Sequence, residues 1–182
     1  MFESGPQMPE QQRKGVVFMV TGKEDLLQSL MEALLMEKGT HDFYSEAAKK
    51  AMDPEARKTF SDLSEWEEQH VEYIQSLYLA IQDDWDIEGF EEFKKKAEAP
   101  LAEGGIPLKD LESKLEKHNF IDDLGALAWA LETEGKAYNL YHRLSRDAED
   151  SNARVVFKDM MEQELKHIDY LKKMRMRLAE TS

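Results

Sequence analysis

From about Lys23 the chain sets apolar residues three and four apart. Leu26, Leu27, Leu30 and Leu34 fall near one face, and Glu37, His41, Tyr44 and Ala48 continue it. That period predicts a long amphipathic helix, opened by a capping box of Thr21 with Glu24. The helix should stop near Met52, because Asp53-Pro54-Glu55 places a capping carboxylate before a proline suited to a first turn. A second helix follows, with Phe60, Leu63, Glu67, His70, Ile74 and Leu77 on one face. A third starts near Asp122 and carries Leu124, Leu127, Leu131, Glu134, Tyr138 and Tyr141. Asp150-Ser151-Asn152 caps a fourth, with Val156, Phe157, Met160, Glu164, His167 and Leu171. Lys172, Lys173, Arg175 and Arg177 are read as its closing cations, favourable at the negative end of a helix dipole.

The short breaks within each helix pair predict antiparallel hairpins. The stretch from about 83 to 121 is different. Asp83, Asp84, Asp86, Gly89, Pro100, Gly104, Gly105 and Pro107 interrupt any long helix, leaving short helical pieces near 89–97 and 108–117. The second helix, about 30 residues long, would span ~45 Å. A connector of this size can run back along it, so the second and third helices would be parallel. The expectation is an all-α four-helix bundle over residues 21–182, with a long crossover. Residues 1–20, broken by Pro6 and Pro9, read as a poorly specified lead-in.

The two hairpins are one pattern written twice. Adding 97 to Glu37, Tyr44, Asp53, Phe60, Glu67 and His70 gives Glu134, Tyr141, Asp150, Phe157, Glu164 and His167. Each copy has a lone Glu, a Tyr seven residues later, and a Glu-x-x-His pair beginning thirty residues after the Glu. In Glu-x-x-His the two side chains are one turn apart on the same helix face. Glu37 and Glu134 lie inside apolar stripes, where an unpaired carboxylate is costly unless protonated, paired or metal-bound. Four Glu and two His over four helices form the ligand set of a two-metal carboxylate site. Two divalent ions would balance the four carboxylate charges. Oxygen-rich donors with one imidazole per ion suit iron or manganese and also admit zinc.

Composition narrows the reading further. A length of 182 residues fits one domain with an insertion, and 34% charged residues fits long solvated helices. The net charge of −14 argues against nucleic acid and anionic membranes as partners. There are no cysteines, which excludes thiolate metal sites and disulfides in this chain. The longest apolar runs, such as 16–20, are too short to cross a bilayer, and the first residues lack a signal-peptide pattern. A cytoplasmic protein is expected.

The residues Met36-Glu37 with Phe43-Tyr44, Glu67 to His70, Thr133-Glu134 with Leu140-Tyr141, and Glu164 to His167 resemble the ferritin-like superfamily, specifically its rubrerythrin branch. The resemblance covers roughly residues 22–178. It implies a ferritin-like bundle binding two iron ions. Glu67 and Glu164 would bridge the ions and carry the chemistry, Glu37 and Glu134 would be terminal ligands, and His70 and His167 would bind one ion each. Tyr44 and Tyr141 would donate hydrogen bonds to ligand carboxylates. The implied activity is oxidation of ferrous iron with reduction of hydrogen peroxide or dioxygen, in oxidative-stress defence or iron handling. The chain departs from the peroxidase type at Ala137, where that type carries a further Glu. Without cysteines it also lacks a rubredoxin-type relay, so an external electron-donor protein is expected. A homodimer is expected separately, because bundles of this kind often associate through helix faces.

Two other functions stay open at this point: a di-iron oxidase acting on an organic substrate, and a metal-storage or interaction module without turnover. Beside the six ligands, His41 reads as packed or solvated, since its repeat partner is Tyr138; His118 and His142 read as surface residues. Trp66 and Trp129 read as core, and the methionines as bundle filler.

Overall fold

Helix α1 (Lys23–Lys50) and helix α2 (Pro54–Gln82) form the first hairpin. Helix α3 (Ile87–Lys96) and a two-stranded antiparallel ribbon, β1 (Leu101–Ala102) with β2 (Ile106–Pro107), lie in the connector. Helix α4 (Asp123–Asp147) and helix α5 (Ser151–Thr181) form the second hairpin. The computed structural model describes residues 22–83, 86–99, 101–102, 106–110 and 123–181. The lead-in, Thr21, His118 and most of the helical piece expected near 108–117 lie outside the described residues; that piece is helical over 108–110.

Local chemistry explains the turns. The Asp53 side chain accepts from the amides of Glu55 and Ala56, and Asp150 accepts from those of Asn152 and Ala153. These bonds satisfy donors that a helix start leaves open. The repeat extends to the preceding helix ends, where Arg57 donates to the Ala51 carbonyl and Arg154 to the Ala148 carbonyl. Two expectations are corrected. Gly22, not Thr21, is the cap of α1, and no side chain caps it. Helix α5 runs on to Thr181, so Lys172 to Arg177 lie before its last turn, which has no basic residue. Their attraction to the helix end fades with that distance.

The core divides into two apolar clusters. One takes Leu26 to Leu34 of α1, Val71 to Leu79 of α2, Ala137 to Leu144 of α4 with Ala148 just beyond it, and Ala153 to Met160 of α5. The other takes Phe43 to Ala51, Ala56 to Leu63, Ala126 to Ala130 and Leu171 to Leu178. Helices α2 and α4 therefore run in the same direction, as the crossover requires, and α1 and α5 run opposite to them. The connector spans the molecule: Phe90 of α3 packs in the first cluster, 5.5 Å from the Tyr78 ring, and Ala102 of β1 packs in the second.

The ribbon was not legible from periodicity, because each strand is two residues long. Its backbone presses on α1 at Gly39, where a Cβ would fall 2.3 Å from the Leu101 carbonyl oxygen. Only a residue without a side chain allows that approach. The repeat partner of Gly39 is Lys136, which is exposed. The connector therefore straps one hairpin and breaks the two-fold likeness.

Candidate metal centre

Between the two apolar clusters lies a polar layer. Glu37, Glu67, Glu134 and Glu164 are 0% exposed, and His70 and His167 are 1% and 4% exposed. Each of the four long helices supplies part of it, since a ligand placed mid-helix on the apolar stripe must face the bundle axis. All six residues singled out in the sequence converge here. They form two overlapping groups, Glu37–Glu67–His70–Glu164 and Glu67–Glu134–Glu164–His167, with ligand atoms in each group within 4.8 Å of one another.

The shared members face both ways. Glu67 turns Oε2 to His70 Nδ1 at 3.0 Å and Oε1 to His167 Nδ1 at 3.2 Å. Glu164 turns Oε1 to His70 Nδ1 at 3.4 Å and Oε2 to His167 Nδ1 at 3.1 Å. The other two carboxylates are one-sided: Glu37 meets His70 at 3.2 Å and Glu134 meets His167 at 3.1 Å. The two imidazoles stack with ring centroids 5.2 Å apart.

The tyrosines cross between hairpins. Tyr44 of α1 donates to Glu134 of α4, and Tyr141 of α4 donates to Glu37 of α1. Each is fully buried and held by a stacked phenylalanine, Phe60 at 6.2 Å and Phe157 at 6.3 Å. A phenol placed this way fixes the orientation of a one-sided carboxylate.

The electrostatics mark a place for cations. Four carboxylates and two imidazoliums would still leave two negative charges away from water. Burial raises the pKa of Glu67, and the charge on Glu134 adds to it. Burial likewise lifts Glu164 well above the usual carboxylate range; the His167 hydrogen bond opposes this, and Glu67 and Glu134 reinforce it. At Glu134 burial is outweighed by the His167 hydrogen bond and charge, so its pKa falls. Burial opposes the charged form of both histidines. At His70, Glu37 and Glu67 outweigh it and raise the pKa well above the ordinary value. At His167, Glu67, Glu134 and Glu164 do the same. Apart from the two imidazoles 3.0–3.4 Å away, the four buried carboxylate oxygens of Glu67 and Glu164 meet no hydrogen-bond donor among the described residues. Buried acceptors of this kind call for another charge. Two divalent ions with neutral imidazoles would neutralise the layer, and the hard oxygen donors fit them.

The rubrerythrin family model matches residues 14–78 and 28–176. The chain belongs to the rubrerythrin family. No curated protein and no solved structure matches it. Its helical bundle and buried carboxylate–histidine layer fit a di-iron protein of that family. Among the described residues, no helix of this rubrerythrin is long and apolar enough to cross a membrane.

Other candidates fall elsewhere. His41 faces α2, with Nδ1 2.9 Å from the Ser64 carbonyl oxygen, and is part-buried outside the layer. His142 is exposed and stacks on Tyr138 at 6.1 Å. Ala137, one turn after Glu134, is fully buried and brings no seventh ligand. Two neighbours escaped the sequence reading. Trp66 is half-buried and packs against the second apolar cluster, as expected of core, but its stacking on His167, with centroids 5.1 Å apart, was not foreseen. Gln163 sets Oε1 3.1 Å from His70 Nε2. Their signal was available: positions 66 and 163 are repeat partners, each beside a two-sided Glu, yet they differ.

Proposed function

We propose that this rubrerythrin binds two iron ions in the polar layer and oxidises them from the ferrous state while reducing hydrogen peroxide or dioxygen. The observation that carries the reading is the two-sidedness of Glu67 and Glu164, each aiming one oxygen at each histidine. When bound, two ferrous ions supply two electrons, which with two protons convert one hydrogen peroxide into two waters, or one dioxygen into hydrogen peroxide.

The protein's own residues supply geometry. Glu67 and Glu164 would serve both ion positions, Glu37 and His70 would complete one, and Glu134 and His167 would complete the other. His70 and His167 would give up their extra protons on holding the ions, because a histidine ligates through a neutral nitrogen. Tyr44 and Tyr141 keep the terminal carboxylates in place while charge changes beside them. The apolar clusters above and below restrict water. An external electron-donor protein would return the ions to the ferrous state.

The test is an anaerobic ferrous titration followed by rapid mixing with a single oxidant. Two ions per chain are expected, with two ferrous ions consumed per hydrogen peroxide. Absence of saturable binding overturns the reading and leaves the layer a structural relic; binding without oxidation leaves storage.

A further inference from the structure

The two halves of the layer differ in what lies behind each histidine. Gln163 donates its Nε2 to Asp159 Oδ2 at 2.9 Å. An ionised carboxylate only accepts, so the amide nitrogen is committed to Asp159 and the amide oxygen faces His70. That oxygen also only accepts, so His70 Nε2 carries the hydrogen. In the neutral ring the lone pair is then on Nδ1, the atom 3.0–3.4 Å from Glu67, Glu37 and Glu164.

Among the described residues, the other half has no such chain. The repeat partner of Gln163 is Trp66, which offers His167 an aromatic face and has no acceptor. The repeat partner of Asp159 is Asp62, which accepts from Tyr170 at 2.6 Å and from Lys58 at 2.5 Å. Tyr170 in turn packs on Trp66 at 5.2 Å. A substitution at one repeat position thus exchanges a hydrogen-bond relay for an aromatic stack.

We propose that Gln163 is a positioning residue for His70 and makes the two metal positions unequal, so that the position of Glu37, Glu67, His70 and Glu164 fills first. The inference rests on the metal-binding reading above. An acceptor on the outer imidazole nitrogen fixes the tautomer and raises the basicity of the inner one. Stacking on Trp66 orients the His167 ring but does neither.

The test is a cobalt(II) titration of the whole chain, followed by its visible absorption, for the wild type, Gln163→Leu and Gln163→Glu. The wild type should take up two ions in two resolved steps. Gln163→Leu should weaken the first step by about 10- to 100-fold and leave the second in place. Gln163→Glu keeps an acceptor and should restore the first step. In the zinc-loaded protein, the His70 Nε2–H nuclear resonance should be protected from exchange in the wild type and lost in Gln163→Leu. Two ions bound with both steps unchanged in Gln163→Leu overturns this inference alone. Equal weakening of both steps with a lower melting temperature of the metal-free variant makes Gln163 merely structural and also overturns it. No saturable binding by the wild type overturns the metal reading itself.

Discussion

Removing one two-sided carboxylate should cost both metal ions, whereas removing one histidine should cost one. Glu164 belongs to both ligand groups, with oxygens 3.4 and 3.1 Å from the two imidazoles, while His70 belongs to one. A ligand that binds only the folded state adds about 2.7 kcal/mol when present at about 100 times its dissociation constant. Two ions then add about 5 kcal/mol. At about 2–4 °C per kcal/mol for a chain of this size, the wild type should gain roughly 10–20 °C in melting temperature. Glu164→Ala should gain almost nothing at the same free ferrous concentration, and His70→Ala should keep about half. The assay is an anaerobic thermal melt of each variant with and without ferrous ion. Comparing the metal-induced increment within each variant cancels the cavity that the Ala leaves. A Glu164→Ala protein that keeps half the wild-type increment would refute the bridging assignment, since one ion would then be held without that carboxylate.

Three further outcomes follow from the same geometry. Histidine pKa values raised in the metal-free fold mean stability that is complete below about pH 6.5 and is lost as pH rises toward the folded values. The metal-free melting temperature should therefore fall from neutral to alkaline pH, while ion affinity rises by about tenfold per pH unit for each proton displaced; calorimetry in buffers of different ionisation enthalpy counts those protons. Gly39→Ala should destabilise by about 1–3 kcal/mol in denaturant unfolding, because its Cβ meets the Leu101 carbonyl. Gly135→Ala, with nothing within 4 Å of the new Cβ, should stabilise by about 0.5–1 kcal/mol; the same sign for both would contradict the strap contact. Tyr44→Phe should weaken the ion at Glu134 and His167, and Tyr141→Phe the ion at Glu37 and His70, each by about tenfold or more in a metal titration.

The long helices, their turns and the six layer residues were legible in the sequence because the rules behind them are local or repeated. Asp53 and Asp150 cap within three residues, Glu67 and His70 share a face by helical spacing, and the second copy confirms the first at one offset. Even the parallel course of α2 and α4 follows from connector length. What the sequence could not determine is partner choice between distant segments. That Tyr44 serves Glu134, not the Glu37 of its own helix, depends on how two hairpins dock across 90 residues of chain. That Gln163 meets His70 depends on α2 and α5 facing each other across 93 residues. The need for glycine at position 39 appears only once the ribbon is laid over α1. Periodicity reports which face of a helix is buried; only packing in three dimensions decides what that face meets.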